Sequence, residues 1–200
     1  MSIQLVLFDL GGVLIELGGV EVFQRMIGAG SEAEVWRRWL TSKWVRAYER
    51  GQCDRMAFAE GMIEENALQV GAEEFLETFR SWPRGLLPGA EALVSEIAPG
   101  LRRACLSNTN EMHWNEQADA ARVRELFDLC FPSHELGLVK PDREIFEHVL
   151  RETGLSGDGV LFLDDNALNV EGAQAAGLDA HLALGVEGAR TILAEAGVLA

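Results

Sequence analysis

Five short apolar runs, each too short for a helix and each followed by a helical pattern, set the limits on what this chain can fold into. They occupy residues 3–8 ("IQLVLF"), 101–106 ("LRRACL"), 129–131, 160–163 ("VLFL") and 179–184 ("DAHLAL"). Near-continuous apolar runs of this length read as strands buried on both faces, the habit of parallel sheets. Between them lie patterns such as "DREIFEHVLRETG", in which Ile145, Phe146, Val149 and Leu150 form one helical stripe and Gly154 supplies a C-cap. Strand alternating with helix predicts an α/β fold, a doubly wound parallel sheet.

One interval breaks the alternation. From about residue 16 to residue 84 no strand-like run occurs, while "EAEVWRRWLTSKWVRAYERG" and "DRMAFAEGMIEENALQVG" carry helical periodicity and end at glycine. A single crossover helix needs far less chain. The expectation is an α/β core of residues 1–15 and 86–200 interrupted by a small all-helical cap, residues 16–85. The return is marked by the turn residues of "WPRGLLPGAEALVSEIAPG". Two hundred residues, 48% of them apolar, are enough to bury such a core.

A formal net charge of -15 opposes nucleic acid and anionic membrane surfaces as partners. Cys53, Cys105 and Cys130 are odd in number and lack CxxC spacing, which reads as reduced thiols. The first apolar run has no basic flank and is interrupted at Asp9 and again at Glu16, so neither a signal peptide nor a membrane span is expected. These features together predict a soluble cytoplasmic protein, monomer or homodimer.

In open α/β sheets ligands bind beyond the carboxyl ends of the strands. Here those positions hold Asp9 after "VLF", Ser107 and Asn108 after "ACL", and Asp164 and Asp165 after "LFL". Carboxylates on neighbouring strand ends repel one another unless a hard cation lies between them, and magnesium is the expected cation. Lys140, fixed in an extended turn ahead of Pro141 and a helix, is suited to a phosphate. Taken singly, an aspartate after a strand is often a helix N-cap and Ser-Asn often a turn. Four such elements, in this order at successive strand ends, point to a site.

Asp9 in "FDLGGVL", Ser107 in "CLSNTN", Lys140 in "LVKPD" and Asp164-Asp165 in "FLDDNALNVEGA" resemble, in order, the four motifs of the haloacid dehalogenase-like (HAD) hydrolase superfamily. The helical insert after the first motif is similar to that superfamily's small cap, and the predicted core to its Rossmann-like core. "LSNTN", "LGLVKPDREIFEHVL" and "DDNALNVEGAQAAG" look most like the bacterial α-D-glucose-1-phosphate phosphatases, and more loosely like the N-terminal phosphatase domain of soluble epoxide hydrolase. The resemblance implies Asp9 as nucleophile, forming an aspartyl-phosphate. It implies Mg2+ held by Asp9, the carbonyl of Gly11 and Asp165, with Asn169 behind Asp165 and Asp164 in support. Ser107, Asn108, Lys140 and the backbone at Gly12 would hold phosphate oxygens.

Gly11 departs from the family pattern, which usually has a second aspartate there as general acid and base. Losing such help costs ~10²–10⁴ in rate. Three consequences follow. A phosphatase would be restricted to good leaving groups, a sugar 1-phosphate being the first choice among small phosphorylated metabolites. A haloacid dehalogenase needs no acid, but dehalogenases of this superfamily lack the paired aspartates. A non-catalytic phosphate- or metabolite-binding protein would keep only the pocket.

Residues 36–55 carry six basic side chains (Arg37, Arg38, Lys43, Arg46, Arg50, Arg55) against Glu49 and Asp54, a patch suited to drawing in an anion or to ordinary ion pairs. Trp36, Trp39, Leu40 and Trp44 fall on a broad arc of one predicted helix. They read as core, with Trp44 or Tyr48 the exception that would turn toward substrate. His113 in "SNTNEMHWNE" is the candidate replacement proton donor, set against an ordinary surface histidine.

Overall fold

The computed structural model describes residues 2–200. The first half of the chain forms β1 (Leu5–Phe8), β2 (Ile15–Leu17), α1 (Gly19–Ile27), α2 (Glu32–Thr41), α3 (Lys43–Glu49), α4 (Arg55–Asn66), α5 (Ala72–Arg80), β3 (Pro83–Leu86) and α6 (Ala90–Ser95). The second half forms β4 (Arg102–Ser107), α7 (Glu111–Glu116), α8 (Ala120–Glu125), β5 (Leu129–Pro132), α9 (Ser133–Leu136), α10 (Arg143–Thr153), β6 (Val160–Asp164), α11 (Ala167–Ala175), β7 (Asp179–Leu182) and α12 (Gly185–Glu195). Each of the five apolar runs contributes one strand of a single parallel sheet, in the order β5-β4-β1-β6-β7.

The sheet is covered on both faces, as its unbroken apolar strands require. Val6 and Phe8 pack with Leu93, Val94 and Leu193 of α6 and α12 on one side. Leu5 and Leu7 point the other way, onto Ile145, Phe146 and Val149 of α10. Register fixes the site. Phe8 lies between Cys105 of β4 and Leu163 of β6, so Asp9 emerges level with Asp164, and Ser107 one residue further along β4, all at the carboxyl edge.

The interval after β1 is not purely helical. Strands β2 and β3 form an antiparallel ribbon at its two ends, pairing Ile15 with Leu86 and Leu17 with Pro83. The ribbon lacks a sequence signal because β2 is three residues long and β3 contains a proline and a glycine, which weaken strand character. Helices α1 to α5 enclose a core of their own, with Phe23, Tyr48, Phe58, Met62, Phe75 and Phe79 buried in it.

The single helix expected across residues 36–50 is two. Ser42 is extended, and its hydroxyl accepts hydrogen bonds from the N–H groups of Trp44 and Val45, ending α2 and capping α3. The break rotates the two faces apart. Trp44 therefore lies against Gly61 rather than toward substrate, and Tyr48 stacks on Phe58 at 4.5 Å. The basic stretch is largely spent on ion pairs: Arg46 and Arg50 with Asp142, Arg55 with Glu111 and Glu116, Arg38 with Glu34. The pairs to Asp142, Glu111 and Glu116 clamp the insert to the α/β core. The three cysteines are free, and among the described residues no helix is long and apolar enough to cross a membrane.

Gly61 tests this packing. In an exposed helix, alanine in place of glycine stabilises by ~1 kcal/mol. At position 61 a Cβ would sit 2.1 Å from the Trp44 ring. Overpacking costs roughly 1–3 kcal/mol, so Gly61→Ala should lower stability in urea denaturation; a stabilised variant would contradict the packing described.

Candidate active site

The chain leaves β1 with the N–H of Asp9 bonded to the Leu163 carbonyl at 2.8 Å and turns at once. Leu14 and Ile15 both donate to the Leu10 carbonyl, and the Gly12 N–H donates to the Ile15 carbonyl at 2.9 Å. That N–H is thus engaged within the loop, not directed at a phosphate as expected. Gly12 has another part. Its φ is +72°, and a Cβ there would lie 1.9 Å from Oδ2 of Asp165. Only glycine lets the Asp165 carboxylate come so close to the loop. The N–H groups of Leu10 and Gly11 have no backbone acceptor among the described residues and remain as loop donors. At Gly11 no such constraint applies: a Cβ would meet only the tip of the half-exposed Leu17 side chain, at 3.0 Å.

Lys140 is 3% exposed and spends all three ammonium protons. It donates to Oδ1 of Asp9 at 2.7 Å, to Oδ2 of Asp164 at 2.7 Å and to the Leu106 carbonyl at 2.9 Å. Its backbone is gripped by Asn108, whose Oδ1 accepts from the Lys140 N–H at 2.8 Å while Nδ2 donates to the Lys140 carbonyl at 3.0 Å. The Asn108 amide, expected to reach phosphate, is thereby committed to holding the lysine. Ser107 ends β4 and lines the cleft above.

Asp164 is fully buried and accepts from Lys140, from the Asn166 N–H at 2.8 Å and from the Asn169 amide at 3.0 and 3.1 Å. Asn169 thus backs Asp164 rather than Asp165. Asp165 is partly exposed and lines the cleft. Oxygens of Asp9, Asp164 and Asp165 lie within 4.8 Å of one another. Burial raises the Asp9 carboxyl, Lys140 offsets only part of this, and Asp164 and Asp165 push it further up. Burial and Asp164 push Asp165 up to about 6. Burial works against the charge on Lys140, yet Asp164 and Asp9 outweigh it and raise its pKa. Three carboxylates around one ammonium are an excess of negative charge that an oxygen-seeking divalent cation fits.

Above this array lies a cleft of about 710 Å³. Its core wall carries Asp9, Ser107, Lys140 and Asp165, and its insert wall is aromatic: Phe23, Trp36, Trp39, Phe79 and Trp82. None of the six basic side chains of residues 36–55 lines it. His113 does line it, but neither as a surface residue nor as a ready acid. Its Nε2 lies 2.9 Å from the Phe79 carbonyl and its Nδ1 3.2 Å from the Asn110 amide, and burial lowers its pKa to about 4. One cleft residue escaped notice in the sequence. Glu49, the last residue of α3, lines the cleft, whereas in the sequence it is only a charge among arginines.

A cleft over a cation-seeking carboxylate cluster, at the carboxyl edge of a parallel sheet, marks the class as an α/β enzyme. The chain belongs to the haloacid dehalogenase-like hydrolase family, whose model matches residues 3–177. It is 28% identical over 180 residues to sesquiterpene phosphatase astK of Aspergillus oryzae, covering 86% of this chain and 85% of that protein. It is 29% identical over 197 residues to phosphatase MT3486 of Mycobacterium tuberculosis, covering 91% and 88%. Among solved structures, a complex of a point mutant of the HAD family enzyme BT-2542 from Bacteroides thetaiotaomicron with magnesium and inorganic phosphate superposes with a TM-score of 0.73 at 25% identity, covering 91% of this chain and 94% of that one.

A carboxyl whose pKa is raised by folding destabilises the fold when ionised. Asp165→Asn should therefore be more stable than the wild type in chelator, by roughly 1–3 kcal/mol for a shift of this size, and melt higher. Magnesium should raise the melting temperature of the wild type and not of the variant. A variant less stable than the wild type in chelator would contradict the electrostatic account.

Proposed function

We propose that the protein is a magnesium-dependent phosphomonoester hydrolase acting on a small phosphorylated metabolite through an aspartyl-phosphate on Asp9. In this reading residues 1–15 and 86–200 are the catalytic core and residues 16–85 a cap over it. The observation that carries the reading is the buried Lys140 ammonium, 2.7 Å from both Asp9 and Asp164 at the floor of the cleft. The likeness to two named phosphatases, and to an enzyme crystallised with magnesium and phosphate, supports it.

Asp9 attacks phosphorus and the leaving oxygen departs into the cleft; water then cleaves the bond between Asp9 and phosphorus. Lys140 offsets charge at Asp9, while the Ser107 hydroxyl and the N–H groups of Leu10 and Gly11 donate to phosphate oxygens. Asp9, the Gly11 carbonyl and Asp165 would hold Mg2+, with Asp164 and Asn169 in support. When bound, the ion supplies positive charge to the carboxylates and the phosphate oxygens.

Gly11 favours a leaving group that departs without help, and a sugar 1-phosphate remains the first choice on that ground. The cleft supports a second reading, the phosphate of a largely apolar alcohol. Several of its polar side chains are already paired: Trp36 with Glu32 at 3.1 Å, Gln117 with the Arg80 carbonyl at 2.6 Å, Arg84 with Glu16 at 3.1 Å, and His113 as above; the Trp82 indole N–H is left without a partner. Few groups are left to meet sugar hydroxyls, whereas the aromatic wall can cover a hydrocarbon. The likeness to a sesquiterpene phosphatase agrees with this.

Phosphate release with magnesium, measured across sugar 1-phosphates, sugar 6-phosphates and prenyl and alkyl monophosphates, tests both readings. Asp9→Asn should lose roughly 10⁴-fold or more on every ester that the wild type cleaves, the scale of a lost nucleophile. Equal release by wild type and variant would defeat the enzyme reading. The order of kcat/KM among the esters decides the substrate class.

A further inference from the structure

We propose that the Glu49 carboxyl is the acid–base group that Gly11 cannot supply, giving a proton to the leaving oxygen and then taking one from the attacking water. The assignment rests on the phosphomonoester hydrolase reading and adds a residue from the insert to its chemistry.

Three observations carry it. The first is place: Glu49 lines the same cleft as Asp9, Ser107, Lys140 and Asp165, but from the insert, where a leaving group would lie.

The second is anchorage. The Glu49 carbonyl accepts from the Ser133 hydroxyl at 2.6 Å, and that hydroxyl accepts from the N–H of Thr109 at 2.9 Å, in the loop that continues from Ser107 and Asn108. Arg46 and Arg50, on either side of Glu49 in the chain, are both tied to Asp142, two residues from Lys140. The end of α3 is therefore fixed to the loops that carry the reacting groups, which is what a proton carrier needs.

The third is that its carboxyl forms no ion pair among the described residues, although arginines flank it. The charged groups that face it are Lys140, itself engaged by Asp9 and Asp164, and Arg46 of its own helix; α2 contributes the Trp39 indole beside it. Burial outweighs these and pushes its pKa up to about 7. Acid–base catalysis works best with a pKa near the working pH, where one group both gives and takes a proton.

The steps balance. As an oxygen of Asp9 bonds to phosphorus and the ester P–O bond breaks, protonated Glu49 gives its proton to the departing oxygen and becomes a carboxylate. That carboxylate then takes a proton from water as the water oxygen bonds to phosphorus and the bond to Asp9 breaks. Phosphate leaves, with Asp9 free and Glu49 protonated again.

Rapid-mixing kinetics on the magnesium-loaded enzyme with p-nitrophenyl phosphate and n-butyl phosphate test the assignment. The p-nitrophenolate group leaves without protonation; butoxide does not. For the wild type, kcat on butyl phosphate should fall as the pH rises through about 7, where Glu49 loses its proton. Glu49→Gln should keep a burst of p-nitrophenolate but lose ~10²–10⁴ in steady-state turnover, because the water step has no base. On butyl phosphate the variant should show neither burst nor the wild-type pH limb, and Glu49→Asp should restore part of both. A Glu49→Gln protein with wild-type melting that keeps the pH limb and cleaves butyl phosphate within a few-fold of wild type would overturn the assignment. So would equal slowing of burst and steady state, the signature of a structural lesion. Wild-type silence on both esters would instead bring down the phosphatase reading, and Glu49's role with it.

Discussion

A single buried ammonium organises the site. Lys140 donates to Asp9 and Asp164 at 2.7 Å each, in surroundings where a lone charge could not be held. Removing one partner of such a pair costs roughly 3–5 kcal/mol, because it strands the other. The neighbourhood is correspondingly built around it. Asn108 grips the lysine backbone at both polar ends, Asn169 and the Asn166 N–H hold Asp164, and the register of β1 with β4 and β6 brings the strand ends together. One ammonium does not balance three carboxylates. The surplus is what makes the site receptive to a cation and, without one, a weak point in the fold.

The insert supplies what the carboxyl edge lacks. Helices α1 to α5 have their own aromatic core, and the same helices turn Trp36 and Trp39 toward the cleft. Histidine and glutamine side chains along the cleft are spent on holding backbone carbonyls of α5, so they shape its wall rather than its chemistry. Gly11 fits this division. Its backbone is ordinary and a Cβ there would meet only the end of the half-exposed Leu17 side chain, so no steric rule demands glycine there. Its consequence is chemical, the absence of a carboxyl beside Asp9, and Glu49 of the insert lines the same cleft.

The sheet was legible in the sequence because each central strand is buried on both faces and carries an unbroken apolar run. The reacting edge was legible for the same reason, since a strand end in a parallel sheet is also a ligand site. Features that depend on partners far along the chain were not. Gly12 is glycine because Asp165 lies against it, a contact across some 150 residues. Asn108 is bound to Lys140, and Asn169 to Asp164, by geometry that no local pattern encodes. Ser42 could have been read as an N-cap; helical periodicity on both sides of it concealed the break, and with it the direction of Trp44. The β2–β3 ribbon is held together by pairing across the whole insert, not by the strand character of its own residues.

In the proposed mechanism Asp9 carries the phosphoryl group. That step is tested most directly by acid-quenching the magnesium-loaded enzyme during turnover of a radiolabelled phosphomonoester, then mapping the label by peptide mass spectrometry. An acid-stable, hydroxylamine-labile acyl phosphate is expected on the peptide containing Asp9. Phosphate released with no label on the protein, or with the label on another residue, would contradict it.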